Sequence, residues 1–528
     1  MPENTDFPID WEDPAHAEIA WEHDPVHSAH ATRPLDFDLA TKPFVGGFGW
    51  MSQDPILVNY YIYYPYVARP VPSGDDPPPP PDTTDRLREG GRRWLEEILP
   101  EVQGKIDFYH NTDFDAMPDA GLADEVERLP DVRRRTGRQH TQVTTPAFIA
   151  MTLLTRTYTE LVGGTDLDAL RLVQGYGNKS MEAGEALWKV SELAKTIPAV
   201  RDVLLVDEID RSVLDDLASV PEAAPFLAAL DSYLDEFGWR SDGAFSTSTW
   251  AEAPATPLAL IRAYMQTDNY DPVEEQRRLV EERDAVYQET MSQLDPDARA
   301  RLDDIVGAAR SVSRLMEDHN YWMDQRLLTV PRRLVLAAGR RLVSKGVLED
   351  ETDVFYLYGQ ELIDALRGNL SNTRDNALKR KPEFERWSDV TPPRSIGAPL
   401  PPGDQGRIMD EQPDPTRAEM RDSELRGNGS SSGFARGPVR IVPSLDDSHR
   451  LRPGDVLVTV ATLPPWTPLF AIASAVVTET GGILSHTAIT AREYKLPAVL
   501  AVAGATRLLK DGQLVEVDGA AGTVKVVG

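Results

Sequence analysis

The sequence predicts an α+β multidomain protein, a large and mainly α-helical region followed by a small α/β domain. Three observations carry this. Apolar residues recur at helical spacing from about residue 94 to about residue 366, in segments such as "LVEERDAVYQETMSQL" and "RLLTVPRRLVLAAGRRLVSKG". Residues 379–427 are rich in proline and charge and poor in apolar periodicity. From residue 428 the texture changes to short β-branched runs, "GFARGPVRIV", "DVLVTV", "SAVVTET", "PAVLAV" and "LVEVDGAAGTVKVV", with one helical stretch between them. At 528 residues the chain exceeds one ordinary core. The expected division is a helical domain over 1–378, a flexible linker over 379–427 and a small α/β domain over 428–528.

Taken in order, the chain opens on "MPENTDFPIDWEDPAHAEIAWEHD", which is acidic and lacks the basic-then-apolar pattern of a signal peptide. His16, His23, His27 and His30 follow one another closely, but Pro25 breaks any continuous helix that could gather them around a metal. The aromatic run "VNYYIYYPYV" reads as core. Pro77 to Pro81 read as an exposed loop, because proline supplies no backbone donor. No apolar run approaches the roughly 20 residues of a membrane helix, so a cytoplasmic location with no membrane partner is expected. A linker of about 48 residues would span on the order of 40 Å as a random coil.

Charge excludes some partners. The net charge of −30 disfavours nucleic acid and anionic lipid. From residue 428 onward nine Lys and Arg face eight Asp and Glu, so the acidity belongs to the first 427 residues. With no cysteine there is no disulfide, thiolate chemistry or Cys-ligated metal.

The stretch "TETGGILSHTAITAREYKLPAV" carries the chemistry. Gly481 and Gly482 allow a tight turn, and Ser485 can cap the helix that His486 begins. In the first turn, unpaired N–H groups and the helix dipole favour a neutral imidazole and an adjacent dianion, which suits a histidine that accepts a phosphoryl group. A structural histidine bonded to a nearby carbonyl is the alternative for such a residue in isolation.

Thr480-Gly481-Gly482, Ser485-His486, Ala491-Arg492-Glu493 and Leu496-Pro497-Ala498-Val499 resemble the phosphohistidine signature of the PEP-utilising enzymes. In phosphoenolpyruvate synthase, pyruvate phosphate dikinase and rifampin phosphotransferase this signature lies on a swivelling domain. The resemblance implies that His486 is the phosphocarrier and that Thr480, Gly481, Gly482, Ser485 and Arg492 support the phosphoryl site. No Gly- and Lys-rich nucleotide loop is found, "VGGFGW" lacking the strand-then-helix setting. The expectation is therefore that ATP binds a separate ATP-grasp subunit, with Mg²⁺ or Mn²⁺, and that no barrel follows the histidine domain.

The helical region resembles the acceptor-binding part of rifampin phosphotransferase in "LVQGYGNKSMEAGEALWKV", "LDEFGWRSDGAFSTSTWAEAP" and "MEDHNYWMDQR". Where that enzyme has Arg-Glu and a nearby Lys, this chain has Met316-Glu317 and Asn320. The layout is similar to the histidine-bearing subunit of phenylphosphate and alkylphenol phosphate synthases. That likeness implies transfer from ATP to His486, with release of AMP and phosphate, and then to a phenolic oxygen. Another acceptor, such as an antibiotic or alcohol, or a non-enzymatic phosphocarrier are the alternatives. Removing a phenolic proton of free pKa near 10 needs a positioned base, and Glu317 or His319 would serve. Asn320, Asp324, Arg326, Arg240 and Lys179 are the candidates for holding acceptor or phosphate. With 100° per residue, Glu317, Asn320 and Asp324 fall on roughly one helix face and His319 does not.

Overall fold

The computed structural model describes residues 7–25, 27–67, 80, 82–205, 212–241, 243–267, 270–400, 420 and 423–527. Pro77–79, Pro81 and residues 401–419 and 421–422 of the expected linker lie outside them.

The aromatic run forms core, but in a small sheet rather than a helix. β1 (Ala20–His23), β2 (Ile56–Val58), β3 (Tyr61–Pro65) and β4 (Ser395–Gly397) make an antiparallel sheet of order β2-β3-β1-β4. Tyr61 and Tyr63 are buried there, and their hydroxyls donate to main-chain carbonyls at the end of the helical region. The N-terminal histidines do not converge. His23 Nδ1 meets the Ile62 carbonyl, His27 pairs with Asp24 and His16 packs edge-on against Trp21.

The helical region is organised on α1 (Asp119–Val162), whose 44 residues present a buried stripe including Val126, Val143, Ala147 and Leu154. Packed around it and beyond are α2 (Lys179–Thr196), α3 (Ala255–Met265), α4 (Pro296–Val312) and α5 (Leu315–His319). Asp295 caps α4 by accepting from the amides of Asp297 and Ala298. After α5 the backbone winds as a π-helix over Asn320–Arg326, and a shorter turn leads to α6 (Arg332–Ser344). No described helix is long and apolar enough to cross a membrane.

The linker expectation needs correction at its start. α7 (Thr373–Ser388) runs through Pro382, and β4 pairs with β1. Periodicity is weak in α7 because its tertiary partners are largely ionic, Arg380 with Glu361 and Lys381 with Asp353. Of residues 379–427, the stretches 401–419 and 421–422 lie outside the described residues.

The C-terminal domain holds β5 (Glu424–Arg426), β6 (Asn428–Ser431), β7 (Phe434–Ile441), β8 (Val456–Thr459), β9 (Ala475–Thr478), β10 (Ala498–Leu500), β11 (Leu514–Asp518) and β12 (Thr523–Val526). Their order is β5-β12-β11-β7-β8-β9-β10-β6, parallel from β7 to β10. β8, β9 and β10 are buried throughout, as parallel strands covered on both faces must be. One face packs its own core of Val439, Val456, Val477 and Val515. On the other, Leu457, Trp466, Phe470 and Ala488 merge with Ala183, Leu187, Leu258 and Tyr264 of the helical region in one apolar cluster. The small domain is therefore docked on α2 and α3 through a shared core.

Candidate functional site

Between β9 and β10 the chain crosses over through α8 (His486–Glu493), and His486 sits at its first position, beyond the carboxyl end of β9. That is where parallel α/β sheets place their ligands. The loop before it is built as the motif requires. Thr480 donates through Oγ1 to the Val460 carbonyl at 3.0 Å. Gly481 adopts φ +111°, open to glycine and strained for other residues. The Gly482 carbonyl accepts from Ser485 N at 3.1 Å, and Ser485 Oγ caps the helix by accepting from Ala488 N at 3.4 Å. Arg492, one helical face away, donates to the Ser430 and Ile483 carbonyls at 3.0 and 2.8 Å and so ties β6 to the loop.

The docked helical region completes the surroundings of His486. Its Nδ1 lies 2.6 Å from Glu317 Oε2, on α5, and its Nε2 lies 3.3 Å from the Thr467 hydroxyl. A carboxylate can only accept, so Nδ1 carries the proton, and in the neutral ring Nε2 is the nitrogen with the lone pair. Glu317 is 1% exposed. Ser180 donates to its Oε2 at 3.4 Å, while Oε1 has no hydrogen-bond partner among the described residues.

Between the helical region and the small domain lies a narrow cleft of about 50 Å³, lined by Met316 and Arg492 among others. Met151, Leu170, Val173 and Met316 line it from the helical region, and Leu484 and Ile489 from the small domain. Its polar margin includes Arg314, Arg492 and Glu493. Burial pushes the Glu493 carboxyl up to about 7, although it accepts from Gly175 N and neighbours Arg492. Burial likewise holds Arg492 down to about 10. Desolvation thus outweighs the mutual attraction of these two adjacent charges.

The remaining sequence candidates fall in two other places. His319 and Asp324 turn away from His486 and face each other, Nε2 to Oδ2 at 3.7 Å, with His140 of α1 at 3.2 Å from the same oxygen. The expected face of Glu317, Asn320 and Asp324 fails because the backbone leaves α geometry at Asn320. An i→i+5 ladder brings residues five apart into line, and His319 and Asp324 are five apart. His319 thus meets Asp324, the Leu315 carbonyl and His140, whereas Glu317 meets His486. Asn320 opens the π-helix.

Lys179, Arg240 and Arg326 gather around aromatic rings instead. Lys179 pairs with Glu182 and Glu236 at 2.8 and 2.9 Å and lies 5.5 Å from the Tyr321 ring. Arg240, 1% exposed, stacks between Phe237 and Trp250. Arg326 lies over Trp322 and donates to the Tyr321 hydroxyl at 3.4 Å. Sequence reasoning missed Ser180, Thr467, His140 and Glu493. Ser180 and Thr467 stand inside recognisable stretches, but nothing local sets them apart from other hydroxyl residues.

Comparison with known proteins matches two regions of the chain. The PEP-utilising enzyme mobile domain matches residues 451–522, and the rifampicin phosphotransferase fourth domain matches residues 139–317. The chain carries a PEP-utilising mobile domain behind a rifampicin phosphotransferase-like region. Over its whole length it is 33% identical to 14% of the chondramide synthase cmdD of Chondromyces crocatus. It is 31% identical over 74% of its length to the uncharacterized phosphotransferase YvkC of Bacillus subtilis, spanning 47% of that protein. It is 32% identical over 66% of its length to the rifampicin phosphotransferase of Streptomyces sviceus, spanning 40%. The chain thus spans less than half of each of these relatives.

Proposed function

We propose that the chain is the phosphocarrier and acceptor-binding part of an ATP-dependent phosphotransferase. A separate ATP-grasp subunit phosphorylates His486, releasing AMP and phosphate, and the docked domain passes the group to the hydroxyl of a small phenol. The observation that carries this reading is the 2.6 Å contact of His486 Nδ1 with the buried Glu317 of the helical region. It supports a transfer in which the P–Nε2 bond breaks, its electron pair returns to Nε2, and Nδ1 keeps its proton on Glu317 Oε2. The acceptor oxygen forms the new P–O bond on the far side of phosphorus from Nε2 and releases its proton to solvent there, while Glu317 holds the imidazole from the Nδ1 side. Magnesium or manganese belongs with the nucleotide on the ATP-grasp subunit, where it offsets phosphoryl charge.

A second acceptor reading rests on the match to chondramide synthase across the whole chain. On the same machinery, the receiving hydroxyl would then belong to a biosynthetic intermediate of a synthase. Intact-protein mass spectrometry after an alkaline quench tests both. With ATP, Mg²⁺ and an ATP-grasp partner, one phosphoryl group should appear on His486, be absent from His486→Ala, and disappear when a phenol is added. A group that survives every phenol rejects the phenol and leaves the carrier role. Phosphorylation retained in His486→Ala rejects the carrier.

A further inference from the structure

We propose that His140, His319 and Asp324 bind one divalent transition-metal ion, of the zinc or ferrous class, through two imidazole Nε2 atoms and a carboxylate oxygen. Each residue offers a ligand atom within 4.8 Å of the other two. Two of the separations, 3.2 and 3.7 Å, are close to the roughly 3.3 Å expected between ligands about 2.1 Å from a tetrahedral ion. Two imidazoles with one carboxylate suit zinc or iron(II) rather than magnesium.

Three further features point to an ion rather than to hydrogen bonding alone. His319 Nδ1 faces the Leu315 carbonyl, so that nitrogen donates and Nε2 presents its lone pair to the centre of the cluster. One carboxylate oxygen lying between two Nε2 atoms can accept from both only if both rings carry a proton there, and in a neutral His319 the Leu315 contact leaves Nε2 without one. Asp324 Oδ1 is buried with no hydrogen-bond partner among the described residues, so the network as it stands leaves the carboxylate incompletely satisfied.

The surroundings hold the ligands rigidly. His140 is stacked on Phe48 at 5.4 Å and set edge-on to Phe44 at 5.3 Å. These rings are brought to α1 by a glycine crossing, where a methyl on Gly137 would overlap the Phe44 carbonyl. Arg133, also buried on α1, lies over the Phe44 ring at 4.6 Å and contributes positive charge near Asp324. With Arg133 balancing Asp324, the loaded site is cationic and its affinity rests on the imidazoles. The ion would fasten α1 to the helix that bears Glu317, and so fix where that carboxylate meets His486.

The test uses the full chain without nucleotide, so its failure leaves the phosphotransfer reading untouched. After removal of metals with EDTA, the chain is titrated with cobalt(II) and followed by its visible d–d absorption, and with zinc(II) by calorimetry. One ion per chain is expected, undisplaced by millimolar Mg²⁺. His140→Gln and Asp324→Asn, on different helices, should each weaken binding more than about 100-fold, beyond what loss of an outer-shell partner does. Thermal unfolding identifies any variant that is misfolded. Absence of cobalt bands in the wild-type chain, binding that persists in the His140→Gln/Asp324→Asn double variant, or displacement by Mg²⁺ would overturn the assignment.

Discussion

Glu317 is the residue on which the acceptor half of the chemistry turns. It is buried, it fixes the tautomer of His486 through Oε2, and its other oxygen is unpartnered among the described residues. Glu317→Gln preserves the shape but removes the negative charge that holds Nδ1–H. Phosphorylation of His486 by the ATP-grasp partner should survive this change, because the carboxylate belongs to the opposite docking site. Transfer to the acceptor should slow by about 10²–10⁴-fold, the scale of losing a buried carboxylate that fixes a catalytic imidazole's tautomer. Rapid-quench single-turnover measurements of the two half-reactions separate these outcomes, and equal loss in both would refute the assignment. His486 was legible in the sequence because everything that defines it is local: a glycine pair, a cap and the first turn of a helix. Its partner was only half legible. Glu317 stood in a recognisable stretch, yet it lies 169 residues away from His486, and no sequence period connects a β-strand crossover with a helix of another domain.

Among the elements, the π-helix and α8 decide the most. A 100° reading of "MEDHNYWMDQR" sorted its polar residues onto the wrong faces, because the period itself changes at Asn320. The same kind of non-local cause hid β4 and α7, which are held by strand pairing across the chain and by ion pairs rather than by an apolar stripe. At the far end of α8, Glu493 is buried partly by Gly175 of the helical region, and its carboxyl is raised to about 7 from an ordinary value near 4.5. A docked value above the free one means that docking takes up a proton between those limits. Docking is therefore strongest below pH 4.5, weakens as pH rises towards 7, and is flat above it. Affinity of the small domain for its docked position should fall about tenfold from pH 6 to pH 8. Distance measurements between fluorophores on the two domains would show it, and Glu493→Gln should flatten the profile. An unchanged slope in that variant would assign the pH dependence to another group.

At the scale of the whole molecule, a phosphocarrier must leave one partner to meet another, and the docked state is held by a continuous apolar cluster as well as by the His486–Glu317 contact. The two requirements conflict unless the interface is only marginally favourable. The half-buried Arg492 and the buried Glu493 supply the opposing cost, since both are shifted toward neutrality by desolvation rather than stabilised by each other. Gly184 on α2 is the point at which this balance can be altered from the helical side alone. A methyl there would overlap the buried Tyr494 hydroxyl immediately after α8. Tyr494 is confined by Phe470 and Tyr270, so it has little room to yield. Gly184→Val should therefore push the domain off its acceptor position without touching the histidine loop. His486 should still be phosphorylated at the wild-type rate, and transfer to the acceptor should fall roughly tenfold, as about 1.4 kcal/mol of lost docking energy would give. If both half-reactions fall together while the variant unfolds at the wild-type temperature, α2 is not the surface from which the domain delivers its phosphoryl group.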